Sequence, residues 1–395
     1  MAPEMQAQQP VSRVLVTCAN FEPGFRGGGP VRSVSQIIDS APTNLDLLLV
    51  TRDRDCGSRE PYPELSGRWI LRGRAAVFYL DTRSAVQWLR LTVELRRKRI
   101  TLMYLNSLWE PYFSLVPLIL SALRILPVQA VLLAPRGELS IGALSLKARK
   151  KRWFLRVWRR LVSHMNLTWH VSSEMEAAEI RAAFPSANVR ICISNDFPVA
   201  ALTSTEAPQL HHGLPKFVYI GRISPKKNLH VTIDALAVVP TPATFDIYGS
   251  LEDRKYWSTC KQKIAALPDH ISVTYRGELA PNRVVSTFGL YDAFVFPTLG
   301  ENFGHVIAES LASSCPVICS DQTPWTPVLE AGGGQVVRDL TPAALGAVLA
   351  RWAAMSSAEI AIARAAAHAA FFEWFGQQDR SNVLDLVLRR ISADQ

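Results

Sequence analysis

The sequence predicts an α/β fold with two domains, each built on a parallel sheet. Short apolar runs bounded by turn residues alternate with segments of helical period along the whole chain, a pattern typical of buried parallel strands joined by helices. At 395 residues the chain is too long for one ordinary core. A stretch rich in Pro, Thr and Ala at residues 198–215 separates the two halves and is predicted to be the linker.

Composition and charge narrow the class of protein. A hydrophobic content of 48% with 19% charged residues describes a globular chain rather than a disordered one. The net charge of +9 favours anionic partners such as nucleotide phosphates, acidic lipid headgroups or nucleic acid. The six cysteines include no C-x-x-C pair, which favours buried, inert thiols in a reducing compartment over a metal site or disulfides.

The first domain is predicted over residues 11–197. Residues 1–10 are polar and lack the basic and apolar regions of a secretory signal, so we expect a loose arm. Residues 115–134 are apolar but contain two prolines and an arginine, which predicts a helix followed by a strand rather than a membrane span. The apolar runs of this half predict strands at residues 11–18, 45–50, 77–80, 102–105, 130–134, 167–171 and 189–193.

A glycine-rich loop, FEPGFRGGGP, follows the first strand and precedes a predicted helix at residues 31–39. Glycine lets the backbone approach a ligand closely, so Gly28 and Gly29 are candidate ligand contacts. The loop does not match G-x-G-x-x-G, and a dinucleotide site would rest only on this loop and on Asp53 near the end of the second strand.

Asp53 and Asp55 also form a D-x-D sequence, which in other proteins binds a metal ion. The neighbouring Arg52 and Arg54 compete for these carboxylates, and the motif lies far along the chain from the candidate phosphate-binding residues. We therefore expect no metal site.

Two further features of the first domain are candidates for binding. Arg136 and Glu138 follow the strand that ends at Ala134, and they are either candidate ligand contacts or an ion pair closing a loop. The segment Lys147–Arg160 carries eight basic residues with interleaved aromatics. It is predicted to be a helix lying on an anionic membrane surface, the alternative being a surface helix whose aromatics pack on the sheet. No recognised nucleic-acid-binding motif accompanies it, so nucleic acid is not an expected partner.

The second domain is predicted over residues 216–370. Its first strand, 216–220, runs directly into a loop that contains Arg222 and Lys227, and a helix is expected to begin at Asn228. Two cations before a helix N-terminus favour a diphosphate, because the N–H groups of the first helical turn add a partial positive charge. Gly249 and Arg276, at the ends of the next two strands, are candidates for contacts with phosphate or base.

The most informative stretch is residues 291–325. It reads as a strand at 293–296, a polar loop, a helix from Phe303 to about Ser313, and a strand at 317–319. Ligands bind outside the carboxyl ends of strands in open α/β sheets, and the helix start at Phe303 and Gly304 again offers free N–H groups. Glu301 and Glu309 flank this helix start, and carboxylates suit sugar hydroxyls rather than phosphate.

The two motifs of the second domain resemble those of the retaining glycosyltransferases of family 4. Glu301 and Glu309, inside ENFGHVIAES and followed by PVI, look like the E-x7-E motif of that family. GRISPKKN at 221–228 resembles the segment whose Arg and Lys hold the nucleotide diphosphate, with Arg222 and Lys227 at the matching positions. FDIYGSLED and SDQTPW resemble the branch that builds bacterial surface polysaccharides such as lipopolysaccharide or exopolysaccharide. PRGEL at 135–139 resembles a loop of the same branch, and Arg136 stands where many members have a histidine, so steps that depend on that histidine do not carry over. The resemblance makes Arg136 and Glu138 candidates for acceptor or donor contacts.

The resemblance implies the GT-B fold, in which two Rossmann-like domains face each other across a cleft and the last helix, predicted over 371–395, crosses back to the first domain. It implies metal-independent transfer of a sugar, with retention, from a nucleoside diphosphate sugar to a glycan or lipid-linked oligosaccharide, with no separate cofactor. A cytoplasmic location follows, with peripheral contact at the inner face of the plasma membrane. Glu301 is then assigned to sugar hydroxyls and Glu309 to the ribose. The catalytic and donor-binding residues implied are Arg222, Lys227, Glu301, Glu309, Gly28, Gly29, Gly249, Arg276, Asn302, Phe303 and Gly304.

Three other functions fit parts of this pattern. A sugar-nucleotide epimerase of the same fold shares the donor site but makes no glycosidic link. A non-catalytic sugar-nucleotide-binding protein keeps Arg222 and Lys227 and turns over no donor. A Rossmann dehydrogenase requires nicotinamide binding at residues 27–29.

Overall fold

The computed structural model describes residues 12–140, 148–162, 165–185, 189–194 and 213–393. The predicted N-terminal arm, most of the predicted linker and Lys147 lie outside these ranges. The chain divides into two compact units, the first formed by residues 1–196 together with 379–395 and the second by residues 197–378.

A mostly parallel sheet forms the centre of the first unit. Its described strands are β1 (Ser12–Cys18), β2 (Leu45–Arg52), β3 (Trp69–Arg72), β4 (Ala75–Leu80), β5 (Ile100–Asn106), β6 (Val128–Ala134), β7 (Leu167–Val171) and β8 (Arg190–Ile193). Their order in the sheet is β3-β4-β2-β1-β5-β6-β7-β8, and every neighbouring pair is parallel except β3 with β4. The order reverses between β1 and β5, so the loops after these two strands diverge to opposite sides of the sheet and leave a crevice between them.

Helices cover both faces of this sheet. They are α1 (Gly29–Asp39), α2 (Ala85–Arg97), α3 (Val116–Ala122), which a π-helical turn at Pro111–Leu115 precedes, α4 (Ala148–Val162) and α5 (Glu174–Ala183). Leu91 of α2, Leu118 of α3 and Trp158 of α4 pack in one apolar cluster, while Val34 and Ile38 of α1 pack in another. The strands are buried on both faces, which explains why they read as continuous apolar runs.

The second unit has a parallel sheet of the same kind. Its described strands are β9 (Lys216–Ile220), β10 (Ala243–Tyr248), β11 (Ile271–Gly277), β12 (Ala293–Phe296), β13 (Val317–Ser320) and β14 (Gly334–Val337). They follow the order β11-β10-β9-β12-β13-β14 with parallel pairing throughout. The order reverses between β9 and β12, which is the place where ligands bind in sheets of this type.

The helices of the second unit surround one apolar core. They are α6 (Leu229–Leu236), α7 (Arg254–Ala265), α8 (Val284–Phe288), α9 (His305–Ala312), α10 (Pro342–Ala353) and α11 (Ser357–Gly376), with short helical turns at Pro225–Lys227, Pro281–Arg283, Thr326–Val328 and Leu329–Gly333. The described residues contain no single helix that is both long and apolar enough to cross a membrane; α10 and α11 together satisfy length and composition but are bent by 112°.

Two strands, β3 and β14, were not predicted from the sequence, and each has a physical reason. β3 is a half-exposed antiparallel edge strand, so it lacks the continuous apolar run of a buried parallel strand. β14 begins at Gly334, the last of three consecutive glycines, and contains only two apolar side chains, Val336 and Val337. A Cβ atom on Gly334 would lie 2.0 Å from the Val317 carbonyl oxygen, so the glycine allows β14 to pair closely with β13.

The C-terminal segment differs from the single predicted helix at 371–395. Residues 371–376 belong to α11 of the second unit, and the segment that joins the first unit begins at Asp379. It contains α12 (Val383–Ala393), whose Val383, Leu384 and Val387 pack in the same cluster as α1. The Asn382 amide donates to the Ile37 carbonyl at 2.7 Å and fixes the entry of α12.

The cysteines are free thiols, and five of them are buried. Burial raises the pKa of Cys18 to about 12 and that of Cys315 to about 11, so both stay protonated and inert. Cys56 is exposed, in contrast to the expectation of uniform burial, because it lies in a surface loop after Asp55.

Candidate active site

Two loops of the second unit form the centre of the candidate site. One follows β9 and spans residues 221–228, and the other follows β12 and spans residues 297–304. Since the strand order reverses between β9 and β12, their loops diverge to opposite sides and leave a crevice. The Lys226 carbonyl joins the loops by accepting from the Leu299 N–H at 2.9 Å.

Lys227 and Glu301 form an ion pair across these two loops. Both side chains are 11% exposed, and the Lys227 ammonium also lies 5.2 Å from the centre of the Phe296 ring. Glu301 uses Oε1 for this contact and for a 2.9 Å hydrogen bond from the Thr298 hydroxyl. Within the described residues Oε2 of Glu301 has no partner, so this oxygen can accept hydrogen bonds from a ligand.

Arg222 lies in the same loop as Lys227 but is held by a different carboxylate. Its guanidinium contacts Glu252 at 2.7 Å, and the two side chains are 46% and 44% exposed. An exposed pair of this kind contributes little to stability, so Arg222 can exchange Glu252 for an anionic ligand at small cost. Glu252 was not among the sequence-predicted residues. Glu252 lies in FDIYGSLED, just after β10, which is the neighbour of β9 in the sheet. Its place directly after a strand is the signal that could have identified it.

Gly304 controls the start of α9. Its φ of 81° lies in the left-handed region, and it is the N-cap of a helix that begins at His305 rather than at the predicted Phe303. The Trp325 indole N–H donates to the Phe303 carbonyl, and the Phe303 ring is buried against Trp325 with centroids 5.4 Å apart. The side chain of Phe303 therefore belongs to the core, whereas Asn302 is half-buried beside Glu301.

Glu309 lies in the second turn of α9 and is 4% exposed. His305 precedes it by one helical turn, shares its face and is 8% exposed, so two buried polar side chains face the same way. His305 was missed by the sequence analysis, although its spacing of four residues from Glu309 was readable.

Gly249 and Arg276 have structural explanations. A Cβ atom on Gly249 would lie 1.8 Å from the Gly221 carbonyl oxygen, and its φ is +148°, so glycine is required where β10 meets the loop after β9. Arg276 contacts Asp246 at 3.1 Å, and Asp246 also accepts from the Tyr291 hydroxyl at 2.7 Å.

The glycines and acidic residues near β1 and β2 lie in the first unit. Gly28, with a φ of 71°, is the N-cap of α1, and Gly29 is the first residue of that helix. Asp53 is buried and accepts hydrogen bonds from Arg54 at 2.8 Å and from the Ser66 hydroxyl at 2.7 Å. The first carboxylate of the D-x-D sequence therefore has a structural role. Among the described residues no three His, Cys, Asp or Glu side chains are grouped to hold a metal ion.

Arg136 belongs to a polar network of the first unit. It has a left-handed φ of 56° and donates to Asn106 and to the Tyr104 hydroxyl at 2.8 Å each. The Tyr104 hydroxyl lies 2.7 Å from Nδ1 of His170, which is 1% exposed. Tyr104, Asn106 and His170 were missed, because each appears in the sequence as an ordinary residue of a buried strand.

Glu138 has a different set of contacts. Its carboxylate accepts from the Ser107 hydroxyl at 2.8 Å and from the backbone N–H groups of Leu108 and Trp109 at 2.5 and 3.2 Å. It therefore caps the turn after β5, at the switch point of the first sheet.

Part of the chain is similar in sequence to known glycosyltransferases. Residues 203–367 match the family model described as glycosyl transferases group 1. The O-antigen chain mannosyltransferase B of Escherichia coli is 26% identical over 163 residues, which are 40% of this chain and 42% of that protein. The chain thus matches less than half the length of this relative.

Solved structures share the fold over almost the whole chain. The sucrose-phosphate synthase of Thermosynechococcus elongatus superposes with a TM-score of 0.70 at 17% identity, covering 97% of this chain and all of that one. The Anabaena protein HepE, solved with UDP and glucose, gives a TM-score of 0.66 at 16% identity with the same coverage. The chain therefore has the GT-B fold of two Rossmann-like domains, and its residues 203–367 match the family model of the glycosyl transferases group 1.

Proposed function

We propose that the protein transfers a sugar from a nucleoside diphosphate sugar to a glycan or lipid-linked glycan acceptor, as a retaining hexosyltransferase of family 4. The observation that carries the proposal is the buried Lys227–Glu301 pair at the switch point of the second sheet, next to the start of α9. A cation and a helix N-terminus suit the charge of a diphosphate, and a carboxylate suits the hydroxyls of a sugar.

The diphosphate is assigned to Arg222, to Lys227 and to the backbone N–H groups of the first turn of α9, which follow Gly304. Breaking the anomeric C–O bond leaves negative charge on the diphosphate, and Lys227 and the N–H groups are held in place before the bond breaks. Arg222 joins by leaving Glu252, while Lys227 keeps one N–H on Glu301 and offers the others. We propose that these groups stabilise the leaving diphosphate without a metal ion.

The donor sugar is assigned to Glu301. Lys227 and Thr298 hold Oε1, so the carboxylate is oriented and Oε2 can accept from sugar hydroxyls. The buried Glu309 is assigned to the ribose. We propose attack by the acceptor hydroxyl on the face from which the diphosphate leaves, with the acceptor proton passing to a diphosphate oxygen. The bond to the acceptor then forms with retention, and no enzymic nucleophile is needed.

The acceptor side is assigned to the first unit. Arg136 lies at the carboxyl edge of the sheet, held by Asn106 and Tyr104, where an acceptor phosphate or hydroxyl can reach it. The similarity to an O-antigen mannosyltransferase supports a role in bacterial surface polysaccharide synthesis. We place the reaction in the cytoplasm, consistent with the six free thiols, with the basic segment Lys147–Arg160 contacting the inner face of the plasma membrane.

The direct test is turnover of UDP-, GDP-, ADP- and dTDP-sugars with EDTA present, with and without a lipid-linked acceptor. Release of the nucleoside diphosphate that depends on the acceptor supports the proposal. Isomerisation of the donor without an acceptor indicates an epimerase, and binding without turnover indicates a non-catalytic sugar-nucleotide-binding protein.

A further inference from the structure

We propose that α2, α3 and α4 of the first unit form one surface that docks on an anionic lipid bilayer, with an apolar stripe of α2 entering the headgroup layer. Only the basic segment of α4 was predictable as a membrane contact. The inference concerns residues far along the chain from the donor-site loops, so it stands or falls independently of glycosyl transfer.

The outer face of α2 is apolar. Val86, Leu89 and Val93 are 77%, 69% and 44% exposed, and their spacing of three and four residues places them on one face of the helix. Leu91 and Leu95 are buried on the opposite side. A surface helix normally has polar residues on its outer face, so α2 has an apolar stripe that nothing in the described part of the chain covers.

Arginines flank this stripe on both sides. By helical position Arg96 lies beside Leu89, while Arg90 and Arg97 lie on the other edge. All three are exposed and form no salt bridge with any described side chain. An apolar stripe between rows of basic residues is the pattern of a helix that lies in a membrane interface.

The surface continues from α2 onto α3 and α4. The Trp88 ring of α2 lies 6.4 Å from the ring of Tyr112, in the turn that leads into α3, and Trp109 lies 4.8 Å from Phe154 of α4. Ile119 and Leu123 add exposed apolar area on and just after α3. These three helices pack on the same face of the sheet, so their outer sides form one continuous surface.

The charge of this segment is strongly one-sided. Residues 82–173 contain 16 Lys and Arg but only three acidic residues, Glu94, Glu110 and Glu138. This surplus exceeds the net charge of +9 of the whole chain, so the remainder is acidic overall. Glu110 contacts Arg52 at 3.1 Å and Glu94 contacts Lys98 at 3.7 Å, which leaves little negative charge to oppose a bilayer.

An anionic bilayer is the partner that uses both features. A second copy of the chain would bring two basic surfaces together, which costs electrostatic energy. Nucleic acid would neutralise the arginines but leave the aliphatic stripe in water, since phosphates are bound by polar groups. Acidic headgroups pair with the arginines while the acyl boundary takes up Val86, Leu89 and Val93.

The test is co-sedimentation of the full-length protein with vesicles of phosphatidylcholine alone and with an equimolar mixture of phosphatidylcholine and phosphatidylglycerol. Leu89→Asp probes the stripe, and Ile362→Asp in α11, which replaces a residue that is 70% exposed in the second unit, is its matched control. Replacement of Arg90, Arg96 and Arg97 by Gln probes the charge. Its matched control is the triple variant in which Gln replaces the exposed Arg254, Arg283 and Arg351 of the second unit.

We expect wild-type protein to sediment with the anionic vesicles and not with the neutral ones. Each basic residue near such a surface adds about fivefold to binding, so the Arg90/Arg96/Arg97 variant should bind about 100-fold more weakly. Leu89→Asp should lose at least about tenfold, and both control variants should bind like wild type. Nucleotide-induced thermal shifts, which report on the second unit, should be the same in all four variants.

Three results would overturn the proposal. The first is absence of wild-type binding to anionic vesicles, and the second is unchanged binding of both test variants. The third is a mass, measured by light scattering, that is twice the mass of one chain for the wild type and equal to it for Leu89→Asp. In that case a second copy of the chain would cover the stripe.

Discussion

The Lys227 ammonium and the Glu301 carboxylate are paired at the switch point of the second sheet, and they tie the loop after β9 to the loop after β12. Each side chain is 11% exposed, so each charge is stabilised mainly by the other. Thr298, which is fully buried, donates a second hydrogen bond to Glu301. The same two charges therefore hold the two loops together and are the groups proposed to bind a sugar diphosphate.

The first prediction separates stability from binding at this pair. Lys227→Met leaves the buried Glu301 carboxylate without its cation and should lower the free energy of unfolding by about 3 kcal/mol. The double variant Lys227→Met/Glu301→Gln should recover most of that loss, because no uncompensated charge remains. Transfer should stay at least about 100-fold below wild type in both variants. Urea unfolding and initial rates check this, and recovery of transfer in the double variant would contradict the assigned roles.

The second prediction concerns Arg222. Arg222→Ala should leave stability within about 1 kcal/mol of wild type, because its pair with Glu252 is exposed, yet weaken donor binding about tenfold or more. Glu252→Gln should bind the donor at least as tightly as wild type, since it releases Arg222. Arg338→Ala is the control, because Arg338 forms a still more exposed pair with Glu330 in the same unit. Equal donor affinity in Arg222→Ala and Arg338→Ala would rule out the assignment.

The third prediction tests whether Gly249 is structural. Gly249→Ala places a Cβ atom against the Gly221 carbonyl and should lower the free energy of unfolding by about 3 kcal/mol or more. Gly300→Ala has a similar φ of +151°, but its nearest neighbour would be Lys226 Cε at 3.8 Å, so it carries backbone strain alone. Its loss should be about 1 to 2 kcal/mol. Comparable melting curves for the two variants would show that the close approach at Gly249 is not the determining factor.

The fourth prediction is a pH dependence of stability. Burial lowers the pKa of His230 below its usual 6.5, and its ring lies 3.0 Å from the Tyr256 hydroxyl. Because the unfolded chain takes up the proton first, this histidine favours folding above pH 6.5, and that contribution decreases as the pH falls below it. His230→Gln should therefore lose less stability than wild type between about pH 8 and pH 5.5. The check is the urea concentration at the unfolding midpoint of each protein across this pH range. An equal change of the midpoint in the two proteins would contradict the prediction.

The parts of the fold that were predictable are those with a strong local signal. The strands Lys216–Ile220 and Ala293–Phe296 agree with prediction residue for residue, because buried parallel strands read as apolar runs that end sharply at turn residues. β3 and β14 lack such runs, and the return of the chain to the first unit begins after α11 rather than at residue 371.

The site was predictable in its loops but not in its contacts. Arg222 and Lys227 were expected to act together, yet each is held by its own carboxylate, and neither Glu252 nor Thr298 was foreseen. Partners of this kind come from neighbouring strands, here β10 and β12, and the choice among them depends on strand order. One sequence does not fix that order, although it does fix which residues follow a strand.

The most direct measurement of the central claim is a thermal-shift screen of the purified protein against UDP-, GDP-, ADP- and dTDP-sugars with EDTA present. A ligand at about 100 times its dissociation constant stabilises the folded state by about 2.7 kcal/mol, a shift that is readily measured. The account predicts a shift with one nucleotide class that Arg222→Ala and Lys227→Met each reduce by about half or more and that Arg338→Ala retains in full. A flat response to all four donors, or a shift of undiminished size in both site variants, would contradict a metal-independent donor site at Lys227 and Glu301.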